Sequence, residues 1–576
     1  MSVTGSTTQE SALTVSMRRL RNLGTEAWVM LAGILALLAA LLTFLAFPLY
    51  ALLSKAFEDD KENFIGLANF EEYFSSAGLV QSIGNSLTIA FLTMVLSCLL
   101  AFIYAYGLTR TCMPFKRTFR AIATIPILAP SLLPAISLIY LFGNQGMFKG
   151  VLGETSIYGP IGIMIGMVFY IFPHVVMIMG TALSTTDARL YEAADALGAK
   201  APRVFFTVTL PGAIYGIVSA AVVAFTLTIT DFGVPKVIGG QYNVLATDIY
   251  KQVVGQQNFS MGAVVGLVLL LPAIASFTID RHVQKKQVAL LSARAVPYHP
   301  TPHAVRDWSF FGFCILMTVF LVGLLGTAAF ASFVEFWPYN MTLGFSHYDF
   351  DAVDPNGWSS FYNSLKMASI TALVGTVIIF LGAYIVDKGR GFAGLRGILH
   401  MLAMMPMAVP GLVLGLAYIF FFAPAENPLS GLYHTITLLV ICTVVHFYTV
   451  SHLTLLTALK QIDKEFESVS ASLNVPFYKT MLRVHLPICL PVVSEVMMYL
   501  FVNAMTTVSA VVFIYAPDNK LAAIAVLNMD DVGDQAEAAA MAMMIVLASV
   551  TAKIVHGLIM KSFNARHVAW RQGPGT

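Results

Sequence analysis

The chain alternates between long apolar runs and shorter polar segments. Roughly twelve runs have about twenty apolar residues each, the length that a helix needs to cross the hydrocarbon core of a bilayer. Because lipid offers no partners to backbone N–H and C=O groups, each run is predicted to be helical. The approximate limits are 28–52, 86–108, 121–143, 159–182, 212–235, 260–279, 309–332, 366–386, 398–422, 434–456, 488–514 and 536–560.

The polar segments between the runs alternate in charge. Since Lys and Arg accumulate in cytoplasmic loops, the basic segments predict that both ends of the chain, 1–27 and 563–576, are cytoplasmic tails. The basic segments hold Arg110, Lys116, Arg117 and Arg120, then Arg189, Lys200 and Arg203, then Arg281, Lys285, Lys286 and Arg294, then Lys388, Arg390 and Arg396, then Lys460 and Arg483, and last Lys561, Arg566 and Arg571. The acidic ones hold Glu58, Asp59, Asp60 and Glu62, then Asp349, Asp351 and Asp354, and then Asp530, Asp531 and Asp534.

The composition agrees with a protein of the bilayer. Of 576 residues, 57% are hydrophobic and 11% are charged, against about 25% charged residues in a soluble domain. The formal net charge of +2 provides no basic field for nucleic acid. The five cysteines lack the spacing of a metal site. We therefore expect an all-α integral membrane protein with no metal and no nucleic-acid partner.

The sequence contains an internal repeat. Matching segments recur at a nearly constant offset, in polar loops as well as in apolar runs. The pairs are Asn85-Ser86-Leu87 with Asn363-Ser364-Leu365, Pro126 and Pro130 with Pro406 and Pro410, Thr181-Ala182-Leu183 with Thr457-Ala458-Leu459, Asp187 with Asp463, and Leu210-Pro211 with Leu486-Pro487. The repeat predicts two tandem six-helix halves, 28–280 and 308–562, joined by a cytoplasmic linker over 281–307 and related by an axis along the membrane normal. The four prolines of the second pair are predicted to kink their helices.

A polar segment of about residues 185–211 separates the fourth and fifth apolar runs. Thr185, Thr186 or Asp187 can cap a short helix there, and a glycine is placed to end that helix in a left-handed conformation. Two alanines allow close approach to a partner surface. The residues of this pattern are Glu192, Ala193, Ala194, Gly198, Leu210 and Pro211.

This order and spacing of residues resembles the EAA signature of ABC-importer permeases. The resemblance implies that the segment is the cytoplasmic loop through which an ATPase subunit moves the membrane subunit. The second half carries a degenerate copy over about 461–487, where Ser468 takes the Glu position, Asn474 takes the Gly position, and Leu486-Pro487 is kept. Because Asn tolerates a left-handed turn, the turn is expected to survive, while the Glu contact is expected to be shifted or lost.

The chain has no G-x-x-x-x-G-K-[ST] phosphate-binding motif and no helical H-E-x-x-H or G-x-S-x-G motif, so we predict that it is not an enzyme. Two halves in one chain, each with an EAA-type loop, resemble the fused permeases of type I ABC importers. That resemblance implies the type I permease fold, two copies of a cytoplasmic ATPase that binds ATP and Mg, and no cofactor in this chain. It also implies a periplasmic substrate-binding protein and a location in the bacterial inner membrane.

Within that family the chain is similar to the iron(III)/2-aminoethylphosphonate-type group. The similarity lies in Thr230-Asp231-Phe232-Gly233-Val234-Pro235 and in 243–250, and the segment Ala293–Tyr298 resembles the aminoethylphosphonate branch. The resemblance thus favours 2-aminoethylphosphonate as cargo, with iron(III) as the alternative. An ion-coupled secondary transporter with two six-span halves is the alternative from another class, and it would need intramembrane acid–base pairs rather than EAA-type loops.

Polar residues inside the spans are the candidates for a substrate path, because such groups are costly in lipid and usually face a cavity or a partner helix. The resemblance places the fifth span of each half along that path. For any single threonine, a hydrogen bond between helices is a simpler interpretation than contact with the substrate. For Glu495, the alternative to a place on the path is a position near the cytoplasmic interface. The candidates are His174, Thr226, Thr228, Thr230 and Asp231 in the first half and Glu495, Asn503, Thr506 and Thr507 in the second.

Overall fold

The computed structural model describes residues 24–59, 61–290, 296 and 298–568, without the side-chain surroundings of 284–290 and 564–568. Most of the two predicted tails, Asp60 and part of the predicted linker, including Ala293, Arg294, Ala295 and Pro297, lie outside the described residues.

The described chain is built almost wholly of helices. The first part comprises α1 (Thr25–Leu41), α2 (Phe47–Lys55), α3 (Ala68–Ser75), α4 (Ala77–Arg110), α5 (Lys116–Ala123), α6 (Leu132–Phe142), α7 (Pro160–Ser184), α8 (Ala188–Ala196), α9 (Ala201–Val204), α10 (Leu210–Thr230), α11 (Gly233–Ile238), α12 (Leu245–Tyr250) and α13 (Phe259–Leu290).

The second part begins with α14 (Ala304–Ala331), which is followed by a small antiparallel hairpin of β1 (Val334–Phe336) and β2 (Asn340–Leu343). It continues with α15 (Gly357–Lys388), α16 (Ala393–Met404), α17 (Gly411–Phe422), α18 (Ile436–His446), α19 (Tyr448–Lys460), α20 (Glu465–Ser472), α21 (Phe477–Thr480), α22 (Leu486–Thr506), α23 (Ala522–Val532) and α24 (Gln535–Val568). Single π-helical turns occupy Leu42–Ala46, Phe205–Thr209, Lys251–Gly255 and Met481–His485. Short 3-10 turns occupy Ile125–Leu128, Lys149–Leu152, Ser346–Tyr348, Phe350–Ala352, Met405–Ala408, Ser430–Leu432 and Pro517–Asn519.

Nine helices within the described ranges are long and apolar enough to cross a membrane, or twelve if three bent helix pairs each count as one span. The bends are 101° between 116–128 and 132–142, 113° between 393–408 and 411–422, and 54° at Phe447. The third and ninth apolar runs are therefore broken helices, which corrects the prediction of a kink in each. The fifth and eleventh runs also end earlier than predicted, at Thr230 and Thr506.

The prolines explain the two sharp breaks. In each, a 3-10 turn holds the first proline, and the residue before the second proline is extended, with φ −106° and ψ 143° at Ala129 and φ −103° and ψ 113° at Val409. A proline ring excludes the preceding residue from the helical region and removes a backbone donor. Pro130 and Pro410 thus break the helix rather than bend it.

The first helix of each part packs on the other part. The Tyr418 hydroxyl of α17 donates to the Phe44 carbonyl oxygen at 2.6 Å, and the Phe44 and Phe422 rings stack at 6.0 Å. Conversely, Phe310 of α14 stacks on Tyr106 of α4 at 5.2 Å. These aromatic contacts join the two parts through their apolar surfaces.

The repeat in the sequence corresponds to matched contacts in the fold. The Ser86 hydroxyl accepts a hydrogen bond from the Leu245 N–H at 2.8 Å, and the Ser364 hydroxyl accepts one from the Ala522 N–H at 2.7 Å. Each serine thereby satisfies the first turn of a short helix, α12 or α23, that follows the fifth span of its part. The Asn-Ser pairs recur because they fasten equivalent segments.

Candidate coupling loops and translocation path

The EAA-like segment of the first half, which we call coupling loop 1 (185–211), contains the short helix α8. The Asp187 carboxylate accepts a hydrogen bond from the Arg189 N–H at 3.1 Å, so Asp187 is the cap among the three predicted candidates. This bond lowers the pKa of Asp187. At the other end Gly198 has φ +68°, and the Ala199 N–H donates to the Ala194 carbonyl oxygen at 3.0 Å. The helix therefore ends in the left-handed turn that the glycine predicted.

The degenerate segment, coupling loop 2 (461–487), has the same shape. The Asp463 carboxylate accepts from the Glu465 N–H at 3.0 Å at the start of α20. Asn474 has φ +52°, and the Val475 N–H donates to the Ser470 carbonyl oxygen at 2.9 Å. As predicted, an asparagine at the glycine position preserves the turn.

Each coupling loop continues into its fifth span without a break. Residues 201–230 and 477–506 each run as one helical rod that includes a π-turn directly before the Leu-Pro pair. Pro211 and Pro487 lack the N–H that would bond the carbonyl one turn earlier, and a π-turn accommodates that lost bond. The second part of each coupling loop and the fifth span that follows it, α10 or α22, therefore belong to one continuous helix.

Both loops present apolar side chains to solvent at equivalent positions, in the register that aligns their two Leu-Pro pairs. The exposed fractions are 53% for Leu190 and 45% for Phe466, 86% for Leu197 and 69% for Leu473, and 65% for Phe206 and 55% for Leu482. Around them Glu192, Ala193, Gly198, Ser468 and Asn474 are exposed, Ala194 is buried, and Pro211 and Pro487 lie at the surface. Exposed apolar residues in such an arrangement are typical of a protein-binding surface.

A buried cation fastens each coupling loop, and sequence reasoning missed this role. Arg110 is 3% exposed, and its guanidinium carbon lies 4.8 Å from the centre of the Tyr191 ring and 4.5 Å from the centre of the Tyr298 ring. The guanidinium also donates a hydrogen bond to the Leu183 carbonyl oxygen at 2.6 Å. Lys388, which ends α15 as Arg110 ends α4, instead places its ammonium 2.6 Å from the Glu467 carboxylate. The repeat was the available signal, because Tyr191 and Glu467 hold the same position when the Leu-Pro pairs are aligned.

The linker also contacts coupling loop 1. The Ala188 N–H donates to the Val296 carbonyl oxygen at 2.9 Å, and the Val296 N–H donates to the Asp187 carboxylate at 3.3 Å. The Tyr191 and Tyr298 rings lie 4.4 Å apart. The described part of the linker is thus a structural component of the first loop.

The candidate path residues satisfy most of their hydrogen bonds locally rather than between helices. Three threonine hydroxyls donate to carbonyl oxygens of their own helix α10, at 2.7 to 2.8 Å, and these are Thr226, Thr228 and Thr230. In α22, Asn503 and Thr506 bond their own helix in the same way. A hydroxyl bonded to its own helix keeps a free lone pair for another ligand.

The acidic and remaining candidates lie in different environments. Asp231 accepts from the Val234 N–H at 2.9 Å and so begins the turn into α11. Glu495 is exposed on α22, and Thr507, the residue after the end of α22, is buried. The Nδ1 atom of His174 is buried and has no hydrogen-bond partner in the described structure. The described residues contain no group of three or more metal-binding side chains.

Comparison with known proteins places these features in one family. The family described as the binding-protein-dependent transport system inner membrane component matches twice, over residues 113–288 and 378–565. The putative ferric transport system permease protein FbpB 1 of Haemophilus influenzae is 25% identical, covering 88% of this chain and 81% of its own. The ferric transport system permease protein FbpB of Actinobacillus pleuropneumoniae is 24% identical, covering 88% of this chain and 74% of its own.

A relative of the other predicted branch covers less of the chain. The putative 2-aminoethylphosphonate transport system permease protein PhnU of Salmonella typhi is 23% identical over 45% of this chain and 91% of its own. The double family match decides against the ion-coupled secondary transporter. This chain belongs to the family of binding-protein-dependent transport system inner membrane components and is a multi-pass permease of the ABC-importer type, with two family units fused in one polypeptide.

Proposed function

We propose that this chain is the membrane subunit of an ATP-driven, binding-protein-dependent importer of the bacterial inner membrane. It works with two copies of a cytoplasmic ATPase that bind ATP and Mg, and with a periplasmic binding protein. Both ends of the chain and both coupling loops face the cytoplasm. The observation that carries the proposal is the pair of equally shaped loops, each with exposed apolar residues and each continuous with a fifth span.

Each ATPase copy holds one coupling loop. In loop 1, Leu197 inserts into an apolar cleft, Glu192 pairs with a donor, and the exposed Ala193 allows close approach. Ala194 instead packs inside the chain, against the sequence-based expectation that both alanines face the partner. Gly198 sets the angle between α8 and the rod that begins at Ala201. In loop 2, Leu473, Ser468 and Asn474 take the equivalent positions. Leu210-Pro211 and Leu486-Pro487 mark where each loop becomes a membrane span.

The two rods line the path of the cargo. Thr226, Thr228, Thr230 and Asp231 present oxygen atoms from the first half, and Glu495, Asn503, Thr506 and Thr507 present polar groups from the second. When an ATPase copy moves its loop, the rod rotates and changes which of these groups face the path. Because the hydroxyls of α10 are already bonded to their own helix, they offer a cargo only a weak contact, which suits rapid release.

The ATPase contact is tested by co-purification. Leu197→Lys and Leu473→Lys should each reduce recovery of the partner ATPase, because an ammonium cannot enter an apolar cleft without losing its hydration. Val151→Lys, at an equally exposed apolar position on the opposite side of the proposed membrane topology, is the matched control. Unchanged recovery with Leu197→Lys, at normal expression, would refute the proposed docking surface.

The cargo that we propose is 2-aminoethylphosphonate, because the linker segment that ends at Tyr298 resembles that branch, while 230–235 and 243–250 resemble the iron(III)/2-aminoethylphosphonate group as a whole. Ferric iron is the second candidate, favoured by the two ferric permeases that align over 88% of this chain. Uptake of labelled 2-aminoethylphosphonate and of ferric iron is measured in the wild type and in a strain lacking this gene. Loss of the first uptake alone supports the phosphonate, and loss of the second alone assigns the iron.

A further inference from the structure

A cavity of about 360 Å³, lined mainly by residues with polar side chains, opens at one end of the first half. It lies between the end of α3, the start of α4, α12 and the start of α13. Six polar side chains carry its chemistry, and they are Glu72, Asn243, Asp248, Lys251, Gln256 and Asn258. Since α4 has 34 residues and its other end contacts coupling loop 1, the cavity lies about 50 Å from that loop.

The inner wall of the cavity holds a carboxylate that lacks a full set of partners. Asp248 is 4% exposed, and its Oδ2 has no hydrogen-bond partner in the described structure. Burial raises the pKa of Asp248, and the nearby Ser82 hydroxyl and the charge of Lys251 oppose this rise. A buried carboxylate oxygen without a partner is costly, and a cation that enters the cavity removes this cost.

The rim of the cavity carries the ammonium of Lys251 and the exposed carboxylate of Glu72. Lys251 is exposed, and its ammonium donates to the Asn243 side-chain oxygen. The Asn258 side-chain oxygen accepts a hydrogen bond from the Met261 N–H at 2.9 Å. The NH₂ group of the same side chain therefore remains as a hydrogen-bond donor for a ligand. The Asp248 carboxylate therefore lies deep in the cavity, and the Lys251 ammonium lies at its mouth beside side-chain amides and the Glu72 carboxylate.

The second half, folded in the same way, lacks this arrangement. The contacts of Ser86 with Leu245 and of Ser364 with Ala522 set the register between α12 and α23. In that register Ala525 stands where Asp248 stands, and Asn528 stands where Lys251 stands. The equivalent segment of the second half thus adopts the same fold without either charge. Folding alone therefore does not require a buried carboxylate at position 248.

We propose that this cavity binds a small zwitterion, with the ammonium on Asp248 and the anionic group on Lys251 and the rim amides. A volume of this size suits a small solute. The inference rests on the proposed function in one respect, since the topology proposed there places the cavity on the side where the binding protein delivers cargo. The cavity then holds the solute at the outer face before it enters the path between the two fifth spans.

Binding is tested on the full chain in lipid nanodiscs, without ATPase or binding protein, by titration calorimetry. The zwitterion 2-aminoethylphosphonate should bind, whereas ethylphosphonate, which lacks the ammonium, and ethylamine, which lacks the anion, should each bind at least about tenfold more weakly. Equal binding of either comparator, or no binding of the zwitterion, overturns the proposal without any variant being made.

Two variants test the residues. Asp248→Asn and Lys251→Gln should each weaken zwitterion binding at least about tenfold, because each removes one half of the charge complementarity. Glu71→Gln, an exposed acid on α3 outside the cavity, is the matched control and should bind as the wild type does. Unchanged affinity of a folded Asp248→Asn variant contradicts the assignment. ATPase co-purification stays independent of this outcome, so a failed cavity and a failed coupling surface are told apart.

Discussion

The two coupling loops share one backbone shape but are held to the membrane bundle by different chemistry. In loop 1 the buried Arg110 lies between two tyrosine rings, one from α8 and one from the linker. In loop 2 the buried Lys388 pairs with Glu467, whose carboxylate also lies 3.5 Å from the His485 ring. Tyr191 and Glu467 hold equivalent places, so the two halves use an aromatic face and a carboxylate to hold a buried cation at one position.

This difference shows that the backbone shape of a coupling loop and the contacts that hold it to the helices of the membrane bundle are separate properties. The shape comes from an aspartate cap and a left-handed end, and both survive in the degenerate copy. The attachment depends on contacts with α4 or α15 and, in loop 1 alone among the described residues, on the linker. The loss of the Glu and Gly from the second motif therefore leaves the geometry intact and changes the surface that we propose to meet the ATPase.

The largest effect is expected from the turn that both loops share. Gly198→Val should reduce transport at least about tenfold, because a β-branched residue with positive φ is strained by more than the roughly 1–2 kcal/mol of an ordinary side chain. Among the described residues, no atom beyond the adjacent residues lies within 4 Å of the position that a Cβ would take at Gly198, so the effect comes from the turn rather than from a clash. Uptake is the measurement, with membrane insertion checked by immunoblot.

Gly198→Asn is the matched control for that variant. Asn474 already adopts the same turn in loop 2, so this substitution should retain most of the uptake. Normal uptake with Gly198→Val would contradict a role of the turn in coupling.

A smaller effect is expected from the motif Glu position. Glu192→Ala should reduce recovery of the ATPase several-fold, whereas Ser468→Ala should have little effect, because only the first residue can supply a charge-assisted hydrogen bond. Glu192 is exposed and makes no hydrogen bond or ion pair within the described structure, so its loss leaves the fold undisturbed. Equal losses from the two variants in a pull-down would remove the proposed asymmetry.

The attachment of loop 1 is tested through the linker. Tyr298→Ala should increase amide hydrogen exchange of α8 by about fivefold, since a partly buried cation–π contact contributes about 1 kcal/mol. Tyr298→Phe keeps the aromatic face and should exchange as the wild type does. Exchange in α20 serves as the internal control, and a rise there as well would indicate a general loss of stability instead of a local one.

The smallest effect is expected from salt. Raising the ionic strength should increase hydrogen exchange of α20 by less than about threefold and leave α8 nearly unchanged, because the partly exposed Glu467 is screened whereas the stacked arginine is shielded by its rings. The wild-type protein suffices for this measurement. A larger response in α8 than in α20 would mean that the ion pair is not the main attachment of loop 2.

Sequence reasoning succeeded where a feature depends on near neighbours. The presence of a cap among residues 185–187, the left-handed end at Gly198 and its asparagine substitute follow from the conformations that individual residues tolerate, while the structure selected Asp187 as the cap. Pro126, Pro130, Pro406 and Pro410 predicted kinks, but the breaks of 101° and 113° exceed a kink because the second proline of each pair keeps the residue before it extended. The bend at Phe447 has no proline, and the sequence carried no signal for it.

The sequence by itself determined the spans, the repeat and the two loop shapes, because hydrophobicity, capping and backbone preference act over a few residues. Only the tertiary structure decided which distant groups meet. Arg110 of α4 meets Tyr298 of the linker, and Phe44 near the start of the chain meets Tyr418 of the second part. Asp248 became a buried carboxylate only because α4 and α13 close around α12. Such contacts depend on how helices pack, and helices of similar apolar composition can pack in many ways until specific side chains select one.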